Sequence, residues 1–142
     1  MAMRNKSGQM TVEFVVAFPV MLIVAVVAVN AVLFFSECAA FDRLARQAIC
    51  TYAAAPGYGQ GSGWAASAIE ADLRQQFDRD YLRVSVSSEG HAPGYVRYVA
   101  TLDFTPTLVG RQFSGSVFGV GITPLRHSTQ LTLDPYKPGA IV

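Results

Sequence analysis

Histidine and cysteine are scarce here, two of each in 142 residues, and the few present are badly placed for metal chemistry. His91 and His127 lack the HExxH spacing of a catalytic zinc site, and no cysteine cluster stands beside either. Ser114, within Gly110-Arg111-Gln112-Phe113-Ser114-Gly115, is not in a GxSxG elbow. The glycines from Gly115 to Gly121 lack the lysine and the strand-to-helix setting of a phosphate loop. Asp78 and Asp80 are paired carboxylates by position, but they read as solvated charges at a helix end. The sequence therefore predicts no catalytic residue, no metal site and no cofactor: a non-enzyme. A charge excess is missing too. The net charge is +1, and from Glu37 onward nine basic residues meet nine acidic ones, so nothing indicates a nucleic-acid partner. Internal repeats and low-complexity tails are also absent.

The largest absence is local. No charged residue falls between Glu13 and Glu37. The intervening run, FVVAFPVMLIVAVVAVNAVLFFS over 14–36, is interrupted only by Pro19 and Asn30 within its apolar surface. At about 1.5 Å per helical residue it reaches roughly 34 Å, enough for a hydrocarbon core of about 30 Å. A buried helix of a soluble protein would carry a polar stripe. The run is therefore read as a single transmembrane helix in the lipid bilayer. Arg4 and Lys6 precede it, so the positive-inside bias predicts a cytoplasmic N-terminus and an extracytoplasmic region 37–142. A cleavable signal peptide is the competing reading, with Ala39 and Ala40 as small residues near a cut, but its apolar core is usually about 7 to 15 residues. A lipoprotein signal fits less well, because Glu37 precedes Cys38 where small residues are required.

The border of the run carries a second pattern: Gly8-Gln9-Met10-Thr11-Val12-Glu13-Phe14, a glycine closing a short basic leader with a glutamate five positions on. This resembles the Gly-x-x-x-x-Glu-Tyr/Phe processing site of Flp-type prepilins, and its setting resembles the TadE-like pseudopilins of tight-adherence (Tad/Flp) pilus systems. The resemblance implies cleavage between Gly8 and Gln9 by a prepilin peptidase. Residues 1–8 would be the leader, 9–36 the prepilin-type segment and 37–142 the stem and head. It further implies a minor pseudopilin acting in pilus assembly, with other pilin or pseudopilin subunits and the Tad-type machinery as partners. The site would be a bacterial inner membrane or a surface filament, with roles in adhesion and secretion. Phe14 stands where short major pilins have Tyr. About 100 residues beyond the helix match the longer minor components instead.

The residue types make physical sense at that spacing. Glycine offers no Cβ to hinder an extended backbone in a protease cleft. Glu13, at the edge of an uncharged segment, needs a partner, since a carboxylate at a bilayer centre costs about 2.5 to 3.5 kcal/mol on insertion scales. The α-amino group of Gln9 after cleavage lies four residues away, on the same helix face. The resemblance implies instead the α-amino group of an adjacent subunit. A third reading makes Glu13 a helix N-terminal acid favoured by the dipole, by about 0.3 to 1 kcal/mol. Pro19 lacks a backbone donor, so it either kinks the helix for packing or is accommodated near its start. Asn30 either hydrogen-bonds a partner helix or meets headgroups and backbone near the outer boundary.

Past the run, Cys38, Phe41, Leu44, Ala45, Ala48, Ile49 and Tyr52 recur at helical spacing, predicting that one long helix continues as an amphipathic stem. The glycine-rich stretch Pro56 to Gly63 ends it. A second helix is expected over Ala65–Tyr81. Strands are expected at Leu82–Ser87, Tyr95–Phe104 and Arg126–Asp134, with His91-Ala92-Pro93-Gly94 turning the first pair. The fold class is α+β, a pilin-like long helix with a second helix and a small antiparallel sheet. Cys38 and Cys50 would be about 18 Å apart on a continuous helix, beyond disulfide reach. They are expected to be free and buried, with intersubunit bridging as the alternative. An unprocessed single-pass protein with an exported scaffold or binding domain is the other functional reading.

Overall fold

The computed structural model describes residues 6–54, 56–91, 93–108, 111–112, 116–117 and 119–135. The chain divides into two compact units, Met1–Phe34 and Phe35–Val142. The first contains the N-terminal part of a helix, α1, that spans Lys6–Ala53. Every side chain from Gly8 to Val29 is exposed, including Phe14, Val16, Met21 and Ile23. A stretch this long and apolar, with none of its surface buried, is of a length and composition that can cross a membrane.

The second unit is α+β, as the alternating patterns predict. It holds the distal part of α1, a second helix α2 (Ser62–Gln76), and strands β1 (Leu82–His91), β2 (Tyr95–Phe104), β3 (Thr107–Leu108), β4 (Arg111–Gln112), β5 (Ser116–Val117), β6 (Val120–Gly121) and β7 (Leu125–Leu133). β1, β2 and β7 form one antiparallel sheet in that order. The register aligns Leu82, Phe104 and Leu125 in one row, then Val84, Leu102 and His127, then Val86, Ala100 and Thr129. Side chains alternate between faces along a strand, so these rows share the face the helices cover. The opposite face is polar, with Arg83, Asp103 and Arg126 in one row and Ser85, Thr101 and Ser128 in the next.

The core lies between that sheet face and the helices. α1 contributes Cys38, Phe41, Ala45, Ala48, Ile49 and Ala53, at the three- and four-residue spacing of one helix face. α2 contributes Ala65, Ala66, Ile69 and Leu73, and the sheet contributes Leu82, Val84, Tyr98, Ala100, Leu102, Phe104 and Leu133. Small residues alternate with larger ones on the buried face of the stem, and Phe41 and Phe104, both fully buried, are the largest side chains of the core. The hairpin joining β1 and β2 has three loop residues, and Gly94 takes φ +94° there. That left-handed position is one at which glycine meets no Cβ penalty.

Three expectations need correction. The second helix starts three residues earlier than expected and ends at Gln76, not Tyr81. Phe77 leaves helical geometry at φ −108°, ψ 40° while its N–H still donates to the Leu73 carbonyl, and Arg79 N–H then turns back to the Phe77 carbonyl. Between the second and third expected strands, where no strand is expected, the chain forms two small hairpins, β3 with β4 and β5 with β6. Cys50 is exposed, not buried; each helical residue rotates by about 100°, which places it off the face that buries Ile49.

Candidate functional site

Gly8, Gln9 and Glu13, the residues singled out at the border of the apolar run, lie on the first turns of α1 and are exposed. Gln9 and Glu13 are four apart and share a helix face. Among the described residues Glu13 has no hydrogen-bond or ion-pair partner. Pro19 is inside α1, where its ring nitrogen cannot bond the Val15 carbonyl. Phe14 and Phe18 stack just before it, ring centroids 5.6 Å apart at 30°. Asn30 Nδ2 donates to the Val26 carbonyl at 2.9 Å, a bond within its own helix that shields part of the amide's polarity. Glu13 and Asn30 are about 26 Å apart along the axis. The structure groups the first three residues and keeps Asn30 separate.

The apolar run ends at a residue whose importance sequence reading missed. Glu37 is buried, and its Oε1 accepts a hydrogen bond from Arg79, whose guanidinium also donates to the Tyr81 hydroxyl at 2.9 Å. That Tyr81 bond, followed by the Glu37 charge, holds the Arg79 guanidinium above its ordinary pKa. One turn on, Phe41 packs edge-on against Phe77 with centroids 5.5 Å apart, and against His127 at 6.5 Å. Asp42 Oδ1 lies 2.9 Å from His127 Nε2. Glu37, Phe41 and Asp42, within two turns of the stem, thus bind the turn after α2, the end of α2 and the last strand. Arg79 is 42 positions from Glu37 and His127 is 85 from Asp42; no local pattern marks such pairs. The one available signal was that Glu37 is the first charge after a long uncharged run.

Cys38 is buried and free. Burial pushes its thiol above the ordinary range, and the nearby Asp42 and Glu37 carboxylates add to the effect. A thiol held in its neutral form is a poor nucleophile. Burial likewise raises the Tyr98 phenol. No cluster of three or more His, Cys, Asp or Glu side chains suited to a metal occurs among the described residues.

The two edges of the main sheet differ. On β1, Val86 N–H donates to Glu70 Oε2 at 2.9 Å, and Arg74 Nε donates to the Val84 carbonyl at 3.3 Å. Glu70 and Arg74 also pair with each other at 2.6 Å. This ion pair on successive turns of α2 occupies backbone groups that a neighbouring strand would take. On β7 the outer edge carries no such cover among the described residues. Comparison with protein-family models, curated proteins and solved structures returned no match.

Proposed function

We propose that this chain is a TadE-like minor pseudopilin, processed by a prepilin peptidase after Gly8 and acting in Tad/Flp-type pilus assembly. The observation that carries the reading is the first part of α1: an apolar helix exposed from Gly8 to Val29, bordered by Gly8 and Glu13 and free of charge until Glu37. Its apolar surface asks for lipid or for other apolar helices, and a pseudopilin moves between the two. Before processing, Arg4 and Lys6 hold the terminus at the cytoplasmic face. Cleavage removes both and leaves an α-amino group at Gln9 that can neutralise Glu13, in the same chain or a neighbouring subunit.

The helical setting of Gly8 adds a requirement. A peptidase needs an extended substrate, so the first turn of α1 has to unwind. That opening is cheap: the first N–H groups of a helix have no partner within it, and a helical glycine costs about 1 kcal/mol relative to alanine. Asn30, already bonded to Val26, enters an apolar bundle at lower cost than a bare amide would. Once the helix leaves the bilayer, packing against other subunits' helices replaces lipid, and the Pro19 position gives the bundle a place to bend.

Intact mass of the membrane-extracted protein from a strain with active prepilin peptidase tests the proposal. The expected chain begins at Gln9. A chain beginning at Met1 or Ala2 would overturn the processing claim and favour an unprocessed anchored scaffold.

A further inference from the structure

The sheet offers one open edge, and its surroundings select what can fill it. The Leu82 N–H donates outward to the Arg79 carbonyl, while Thr105 N–H donates to the Tyr81 carbonyl. Even-numbered residues of β1 therefore point away from β2, and odd-numbered ones bond it. Carried through the register, even-numbered residues of β2 bond odd-numbered residues of β7. The outward groups of β7 are then the N–H and C=O of Arg126, Ser128, Gln130 and Thr132, unpaired among the described residues. The usual protections of an edge, such as proline, lysine or a bulge, do not occur within Leu125–Leu133. Glu70 and Arg74 close the other edge, so the sheet can accept one strand and no more.

A cavity of about 460 Å³ lies against the open edge, lined by Gln130, Leu131 and Thr132 together with Arg46, Arg97 and His91. Neither guanidinium has a carboxylate within ion-pair distance among the described residues. Arg97 Nη2 sits instead 3.1 and 3.2 Å from the ring nitrogens of His91; Glu89 stands opposite Arg97 in the β1–β2 register, on the side away from β7, without forming an ion pair with it. Two such cations at the end of a bare edge favour an incoming strand with acidic side chains.

We infer that β7 is a strand-addition site for an extended, acidic segment of another polypeptide, bonded along Arg126–Thr132 and held at its acidic end by Arg46 and Arg97. Backbone bonds give the affinity and the guanidiniums give the selectivity. The inference stands apart from the prepilin reading, since it uses only the second unit.

The test uses the full chain in lipid nanodiscs and a fluorescein-labelled ten-residue synthetic peptide, alternating threonine and valine and ending in two glutamates. A matched peptide ends in two lysines. The acidic peptide is expected to bind at least about tenfold more tightly than the basic one, with Arg46→Glu removing the preference. Gln130→Pro, which deletes one outward N–H on an edge strand that tolerates proline, is expected to abolish binding with unchanged near-ultraviolet circular dichroism. Amides of Ser128, Gln130 and Thr132 should exchange quickly in the free protein and slowly in the complex. Absent or charge-blind binding would overturn the inference. So would slow exchange in the free protein, which means the chain covers its own edge, or a concentration-dependent dimer lost in Gln130→Pro, which makes the occupant a second copy.

Discussion

Replacing Phe41 with alanine should detach the stem from the sheet. The ring is fully buried and meets Phe77 and His127 edge-on, so its removal loses both the transfer energy of a large apolar group and the contacts around the hole. Burial of aromatic area, cavity and ring pairing together amount to about 4 kcal/mol for such a site. A domain of this size has about 5 to 15 kcal/mol in total, so even a parent at the lower end keeps about 1 kcal/mol and the variant stays folded in the absence of denaturant. In equilibrium terms the loss is roughly a thousandfold in the unfolding constant. Urea titration of the full chain in detergent, followed by fluorescence of the single tryptophan, Trp64 in α2, reads it as a lower midpoint at constant slope. Arg43→Ala, on the exposed side of the same helix, should stay within about 0.5 kcal/mol. A loss below about 1 kcal/mol for Phe41→Ala would refute the claim that this face is core.

Gly8→Val is expected to block processing, whereas Glu13→Ala should leave cleavage largely intact and impair assembly; normal filaments from the Glu13 variant would remove its assigned role. A double-mutant cycle of Glu37→Gln and Arg79→Gln, read by the same urea titration, should give a coupling of about 1 kcal/mol. The value is modest because the Arg79 side chain is half-exposed and screened, and a coupling of zero would make the pair incidental. Iodoacetamide at pH 8 should label Cys50 and spare Cys38 in the folded protein, as peptide mapping would show. Because the Cys38 thiol ionises higher when folded, the unfolded chain loses that proton first as pH rises, so stability falls above the ordinary thiol range and is unaffected below it. Cys38→Ala should flatten that alkaline slope, and an unchanged slope would count against it. Gly94→Ala should cost about 1 to 2 kcal/mol from backbone strain alone, since no atom lies where its Cβ would go.

Where periodicity is strong, the sequence was an adequate guide. The alternation in Tyr95–Phe104 matches β2 residue for residue, because both faces of a central strand have distinct surroundings. Helical spacing from Cys38 to Ile49 marked the stem's buried face. The end of α2 was illegible, because Phe77 to Tyr81 continues the apolar spacing while the chain turns to bring Arg79 to Glu37. The small hairpins of 107–121 escaped notice because two-residue strands have no period to detect. Glu37 with Arg79 and Asp42 with His127 join distant positions, and only the folded topology brings them together. The border residues Gly8 and Glu13 are a different case: their spacing is visible in the sequence, the fold shows only that both are exposed on the first turns of α1, and the role given to them is a proposal.

The stem also sets an order of events during synthesis. Its core-facing side, from Glu37 to Ala53, is made before the sheet, and the part of β7 that supplies His127 to Asp42 comes 85 positions later. Until α2 and the first two strands are made, Phe41 and Ile49 have nothing from the sheet to cover them, and the contact set of Phe41 stays incomplete until β7 supplies His127. A chain that waits with this side of the stem uncovered is open to association with other chains. Mutations that slow formation of β7 would then appear as lost yield, with little change in the stability of the molecules that finish.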